Sequence, residues 1–330
     1  MKYIDRKNTD CNKWDALETM FGEENLLPLW VADMDFQVAD CVQKALKAYV
    51  EQGVFGYMKV RDSYYDACID WEFKHHGFKM EKEWIKFSPG VVAAINWLVQ
   101  IFTEEGDAVI VNTPVYYPFM NAVKDNHRRL VTSELVNTEG SYTIDFADFE
   151  KKIIDNQVKL FILCSPHNPV GRVWTKEELK RAFDICRAHQ VMVISDEIHQ
   201  DLTYGTHEHT PSFMVGDYND MLISLYAPSK TFNLAGCQNS EVIIPDEKLR
   251  NKWTQYVNEI RVLNGNAFGY IAAEAAYKGG AEWLDEVRAQ ILENYLYLKN
   301  TLEEALPKIK ISELQGTYCL LYTSPSPRDS

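Results

Sequence analysis

The chain is expected to be an α/β protein with a mostly parallel central sheet, helices on both faces, and a smaller, incomplete α+β part towards its end. Three observations predict this. Short apolar runs alternate with segments of helical periodicity between about residues 108 and 244. Polar clusters follow several of those runs, at the strand ends where open α/β sheets place their ligands. The 330 residues, 46% of them apolar and 25% charged, are enough for one large domain with a smaller one attached. We divide the chain into an N-terminal arm with the start of a small domain (residues 1–45), a large domain (46–282), the start of a C-terminal small domain (283–321) and a tail (322–330).

Residues 1–30 lack periodicity and are expected to form an irregular arm, closing on the stretch Leu27 to Phe36. Trp30 and Asp33 in that stretch are candidates to line a substrate pocket, and a docked arm held by its own aromatics is the alternative. Val38–Gln52 and Ser63–His75 have helical spacing, separated by Gly53-Val54-Phe55-Gly56-Tyr57. Ser88-Pro89-Gly90 then leads a helix beginning at Val91 and Val92, whose unpaired N–H groups could hold a phosphate. Ala108–Val111, Lys159–Cys164, Val191–Ser195 and Met221–Leu225 are the expected strands, and Glu241–Ile244 is expected to run antiparallel. Thr175 with Glu178 forms a capping box for a helix through Leu179, Phe183 and Cys186. Trp283–Leu306 is a long amphipathic helix, and Gly316–Leu321 begins a further strand. From Tyr322 the pattern gives way to a proline and serine run that is expected to be disordered or foreign.

A formal net charge of −14 argues against nucleic acid or an anionic membrane as partner. Seven scattered cysteines, without a C-x-x-C pair, suit reduced thiols. The opening residues are too polar for a signal peptide and no apolar run reaches spanning length, so a cytoplasmic protein is expected. Neither G-x-G-x-x-G nor G-x-x-x-x-G-K-[ST] occurs, which removes the dinucleotide and nucleotide triphosphate readings. His199, His207 and His209 with Glu208 lack helical metal-ligand spacing, and no metal is expected.

The strand ends instead suit a cofactor with a pyridine ring, a carbonyl and a phosphate. Such a group needs an amine to bond, a carboxylate for the ring nitrogen, donors for the ring oxygen and phosphate, and a flat partner for one ring face. Lys230, Asp196, Asn168, the Gly90 helix start with Ser229, and Tyr116 fill those places in turn. Each has a plainer alternative: Lys230 as an exposed loop lysine, Asp196 as a helix cap, Asn168 as a turn former, Tyr116 as core packing, with Tyr117 competing for the stacking role.

In Asn168-Pro169-Val170-Gly171, Asp196-Glu197-Ile198-His199 and Ser229-Lys230, the chain resembles the fold-type I pyridoxal-phosphate enzymes of the class I/II aminotransferase superfamily, from about Leu27 to Leu320. The stretches LPLWVADMDF, Phe55 to Tyr57, SPGVV and DEIHQDL are most similar to the MalY/PatB-type cystathionine β-lyases, which are carbon–sulfur lyases. The resemblance implies the pyridoxal-phosphate-dependent transferase fold, with pyridoxal 5'-phosphate bonded by Lys230 and Asp196 on the pyridinium nitrogen. It places Asn168 and His199 near the ring oxygen, Tyr116 on the ring face, and Val91, Val92 and Ser229 around the phosphate. It also implies a homodimer in which Tyr57 reaches the phosphate of the neighbouring subunit.

The implied reaction cleaves cystathionine or cysteine-type amino acids to a thiol, pyruvate and ammonia. An aminotransferase, which shares the first proton abstraction, and a catalytically silent cofactor-binding regulator or inactive fragment are the alternatives. Many aminotransferases carry a phosphate-binding arginine eight residues after the lysine; here Gln238 stands there, as suits the lyase subgroup. The family's arginine for the substrate α-carboxylate falls beyond the native-looking pattern, so the chain is expected to be truncated, and Arg328 is not assigned that role.

Overall fold

The computed structural model of the chain describes residues 1–323. Eight strands form one sheet: β1 (Ile85–Ser88), β2 (Ala108–Thr113), β3 (Arg129–Thr138), β4 (Ser141–Ile144), β5 (Val158–Cys164), β6 (Met192–Asp196), β7 (Leu222–Tyr226) and β8 (Ser240–Ile243). Their order is β1-β8-β7-β6-β5-β2-β3-β4. The central run from β7 through β6, β5 and β2 to β3 is parallel, whereas β8, β1 and β4 join antiparallel. The expected α/β architecture is therefore present.

Strand side chains alternate between the two faces, and here both faces are covered. Val109, Val111, Leu160 and Ile162 pack with Ala94, Ile95 and Leu98 of the Val91–Phe102 helix and with Phe119 and Trp253. On the other face, Ile110, Phe161, Leu163 and Val193 meet Phe149 and Ile153 of the Phe146–Asn156 helix and Leu179 and Phe183 of the Lys176–Ala188 helix. Each such fully buried side chain contributes roughly 1.5–3 kcal/mol. The Thr175 cap closes as expected: Glu178 N–H donates to Thr175 Oγ1 at 3.1 Å and Thr175 N–H returns to Glu178 Oε2 at 2.8 Å.

Helices Asp40–Val50, Asp62–His76, Ala267–Gly279 and Ala281–Ala305 form a second layer beyond β1 and β8, with Val42, Trp71, Phe232, Ala276 and Leu284 in its core. Buried Asp201 ties this layer to the sheet. Its carboxylate accepts from Trp71 Nε1 at 3.0 Å, His76 Nε2 at 2.8 Å and Thr231 Oγ1 at 2.7 Å.

Two expectations need correction. Gly316–Leu321 is not a strand: only Gly316 makes a bridge, to Thr203, and the positive φ of Thr317 (67°) turns the backbone out of extension. Tyr322 and Thr323, which open the tail expected to be disordered or foreign, are not disordered and pair antiparallel with Lys310–Ile311. The rest of that tail, including Arg328, lies outside the described residues. Among the described residues no helix is long and apolar enough to cross a membrane.

Candidate active site

The loops after β2, β5, β6 and β7 converge at the carboxyl ends of the parallel strands. Tyr116 N–H donates to Asn168 O at 3.1 Å, tying the loop after β2 to the loop after β5. Lys230 lies on the one-turn helix Pro228–Thr231 that follows β7, and Asp201 pins that turn through Thr231. Gly90 precedes the Val91–Phe102 helix, whose start carries no side-chain cap. Its first N–H groups are therefore free to bind an anion.

Together these loops enclose a cavity of about 200 Å³. Lys230, Asp196, Asn168, Tyr116, Val91, Val92, Ser229 and His199 all line it, so it brings together eight residues singled out in the sequence. Ala32, Cys164, Ile198, Gln238 and Asn239 complete much of the wall. A wider depression of about 940 Å³ beside the N-terminal arm is open to solvent and contains none of these groups.

Burial sets the electrostatics. Asp196 ends β6 only 4% exposed, and its carboxyl is pushed up to about 7 by burial, against the opposing effects of the Ile198 N–H and Lys230. Lys230 Nζ donates to the Ala32 carbonyl at 2.7 Å, and burial lowers the pKa of its amine, with Cys319, Asp33 and Asp196 opposing. His199 is pushed down to about 3 by burial and by Lys230, which leaves the ring neutral, and among the described residues its buried Nδ1 lacks a hydrogen-bond partner. Tyr116 is raised to about 12, chiefly by burial, and stays a phenol.

These features fit pyridoxal 5'-phosphate. Asp196 is a desolvated carboxyl whose charge a pyridinium N–H would restore, His199 has a polar atom still lacking a partner, and the uncapped helix start beside Ser229 suits a phosphate. Among the described residues no group of side chains is arranged to hold a metal ion.

Three of the expected residues lie elsewhere. Asp33 is held by the arm, its Oδ2 2.8 Å from Arg6 and its Oδ1 4.0 Å from Lys13. Trp30 donates to Lys13 O at 3.2 Å and packs edge-on against Phe21. Between them only Ala32 reaches the cavity, through its backbone carbonyl. Tyr57 is fully exposed and does not line the cavity.

Two further residues, not singled out in the sequence, hold the site together, Asn233 and Tyr318. Asn233 pins the arm beside Lys230 by accepting from Met34 N–H at 2.9 Å and donating to the carbonyls of Met34 at 2.9 Å and Phe36 at 3.1 Å. Its backbone is left-handed (φ 58°), a conformation asparagine tolerates, so the asparagine three residues after Lys230 was the available signal. Tyr318, whose hydroxyl donates to Ala32 O at 2.8 Å, gave none.

The chain is similar to known proteins over nearly its whole length. The family model for class I and II aminotransferases matches residues 24–328. The chain is 43% identical to cystathionine β-lyase PatB of Bacillus subtilis over 97% of its own length and 83% of that protein's. It is 31% identical to protein MalY of Escherichia coli, covering 96% of the chain and 81% of MalY. Its fold superimposes on cystalysin from Treponema denticola, a structure containing pyridoxal 5'-phosphate, with a TM-score of 0.92 and 38% identity, covering 96% of the chain and 82% of cystalysin.

Proposed function

The chain belongs to the class I and II aminotransferase family, and from that premise we propose that it is a pyridoxal-phosphate-dependent carbon–sulfur β-lyase. Its substrates are amino acids with sulfur on the β-carbon, cystathionine or cysteine derivatives, and its products a thiol, pyruvate and ammonia. The observation that carries this reading is the convergence of the Lys230 amine and the buried Asp196 carboxyl in one cavity with an uncapped helix start. The likeness to cystathionine β-lyases supports the choice of reaction.

Pyridoxal phosphate, when bound, supplies a carbonyl carbon that takes up amines and a ring that draws electron density away from the substrate's Cα. The protein's share is positioning and proton transfer. Lys230 Nζ, its pKa lowered by burial, is the base that takes the proton from the substrate Cα. Asp196, as a carboxylate, would hold the proton on the ring nitrogen. Val91 and Val92 N–H groups with the Ser229 hydroxyl would hold the phosphate, where Gln238 brings no charge. Asn168 and neutral His199 would flank the ring oxygen, and Tyr116, which lines the same cavity, would cover one face and exclude water.

A homodimer belongs to the same proposal. Tyr57 is fully exposed beside exposed Val54 and Phe55, which supports its reaching the phosphate site of a second copy.

The test is direct. Purified protein with pyridoxal phosphate should release pyruvate from cystathionine without an added oxo acid, and Lys230→Ala should abolish both this and the visible absorbance of the bound cofactor. Amino transfer to an added oxo acid without pyruvate release would point to an aminotransferase instead.

A further inference from the structure

Residues 314–317 are stitched to two other loops. Gln315 and Gly316 N–H groups both donate to Gly171 O, at 2.9 and 2.8 Å, Thr317 N–H donates to Leu202 O at 2.8 Å, and Tyr204 N–H donates to Gln315 O at 2.9 Å. A Cβ on Gly316 would lie 2.9 Å from both Pro166 Cβ and Val173 Cγ2, so the backbone approaches as closely as glycine permits. This anchored segment delivers Tyr318 to the edge of the site. Its ring meets His199 edge-on, with centroids 5.7 Å apart at 80°, and its hydroxyl donates to Ala32 O at 2.8 Å. The same oxygen accepts Lys230 Nζ at 2.7 Å.

We propose that Tyr318 is a positioning residue for Lys230: by sharing the Ala32 carbonyl, its hydroxyl fixes where the free lysine amine rests and weakens that amine's hold on its proton. The proposal rests on the functional reading only in taking Lys230 as the working amine. A carbonyl oxygen has two lone pairs, and two donors on one oxygen draw on the same electron density. Remove the hydroxyl and the oxygen serves the ammonium alone, which favours the charged form.

The other groups acting on Nζ stay in place when only the hydroxyl changes. These are Asp196 at the end of β6, His199 just after it, Asp33 of the arm and Cys319 beside Tyr318. Burial holds Tyr318 well above the ordinary phenol range, so it remains a donor throughout neutral pH.

The full chain, freed of cofactor, is acetylated with trace acetic anhydride at a series of pH values, and modification of Lys230 is read by peptide mass spectrometry. This reports the amine's pKa without turnover. Tyr318→Phe keeps the ring against His199 and should raise that pKa by roughly half to one pH unit, the size of one hydrogen bond. Replacing Tyr318 by 3-fluorotyrosine, a stronger donor on the same ring, should lower it. An unchanged pKa in the fluorotyrosine chain, or a shift opposite to that expected in either chain, overturns the proposal, and the fluorotyrosine chain decides alone if the Phe variant does not fold. The labelling involves no pyridoxal phosphate, so a protein that fails to bind the cofactor would refute the functional reading while this result stood.

Discussion

Asp196 shows how a side chain can cost stability in isolation and carry function once partnered. Burial raises its carboxyl from 3.8 to about 7 in the cofactor-free chain. A carboxyl whose folded pKa lies above its unfolded one favours the folded state fully below about pH 4, and that advantage is lost as pH rises through about 7. At pH 8 the buried charge therefore costs up to about 4 kcal/mol. Asp196→Asn should stabilise the cofactor-free chain at about pH 8 and change little near pH 4, as read by urea unfolding at both. An equal effect at the two pH values would mean that the carboxyl does not titrate in this range. The same variant should lose most lyase turnover, because an amide offers no charge to the ring nitrogen. Asp196 was legible in sequence because it closes an apolar run before a polar turn. The role of Asp33 was not, because it depends on Arg6 and Lys13, many residues away. Ala32 contributes only a backbone carbonyl, which any residue type could supply.

At the level of elements, what sequence showed was what neighbouring residues decide. The Thr175–Glu178 box is local and formed as read. Thr175→Ala should cost about 1 kcal/mol, measured as a lower midpoint in denaturant unfolding with an unchanged slope. The central strands were legible because both of their faces are buried, which leaves apolar runs. Three strands of the eight-stranded sheet were not named. Strand β1 is four residues long, with two of them only half-buried. Strands β3 and β4, at the other edge, mix buried and exposed positions. Gly316–Leu321 misled because its conformation is set by the loops it docks against, and no local pattern records that. Gly316→Ala should force the Pro166 and Val173 contacts apart at a cost of about 1–3 kcal/mol. The thermal midpoint measures that cost, and a midpoint equal to the parent's would show that the segment yields freely.

At the scale of the whole molecule, the described residues leave an aromatic patch uncovered. Tyr49, Phe55 and Phe268 form a cluster with centroids 5.3–5.7 Å apart, and Val54, Phe55 and Tyr57 are all exposed in the segment joining helices Asp40–Val50 and Asp62–His76. A second copy would cover such a patch, and sedimentation should then give twice the mass of one chain. If Tyr57 serves the partner's phosphate, Tyr57→Ala should weaken cofactor binding by about tenfold or more, the size of one hydrogen bond to a charged group. Weak binding alone does not say across which chain the tyrosine acts, but a mixed dimer does. A Lys230→Ala chain lacks the amine yet keeps its tyrosine, and a Tyr57→Ala chain keeps the amine. If the tyrosine crosses the interface, one site of the hybrid carries both lesions and the other carries neither. At limiting cofactor, mixing the two inactive or weak chains should then restore pyruvate release towards half the parental rate per dimer. If each chain serves its own site, both sites of the hybrid stay damaged and mixing restores nothing.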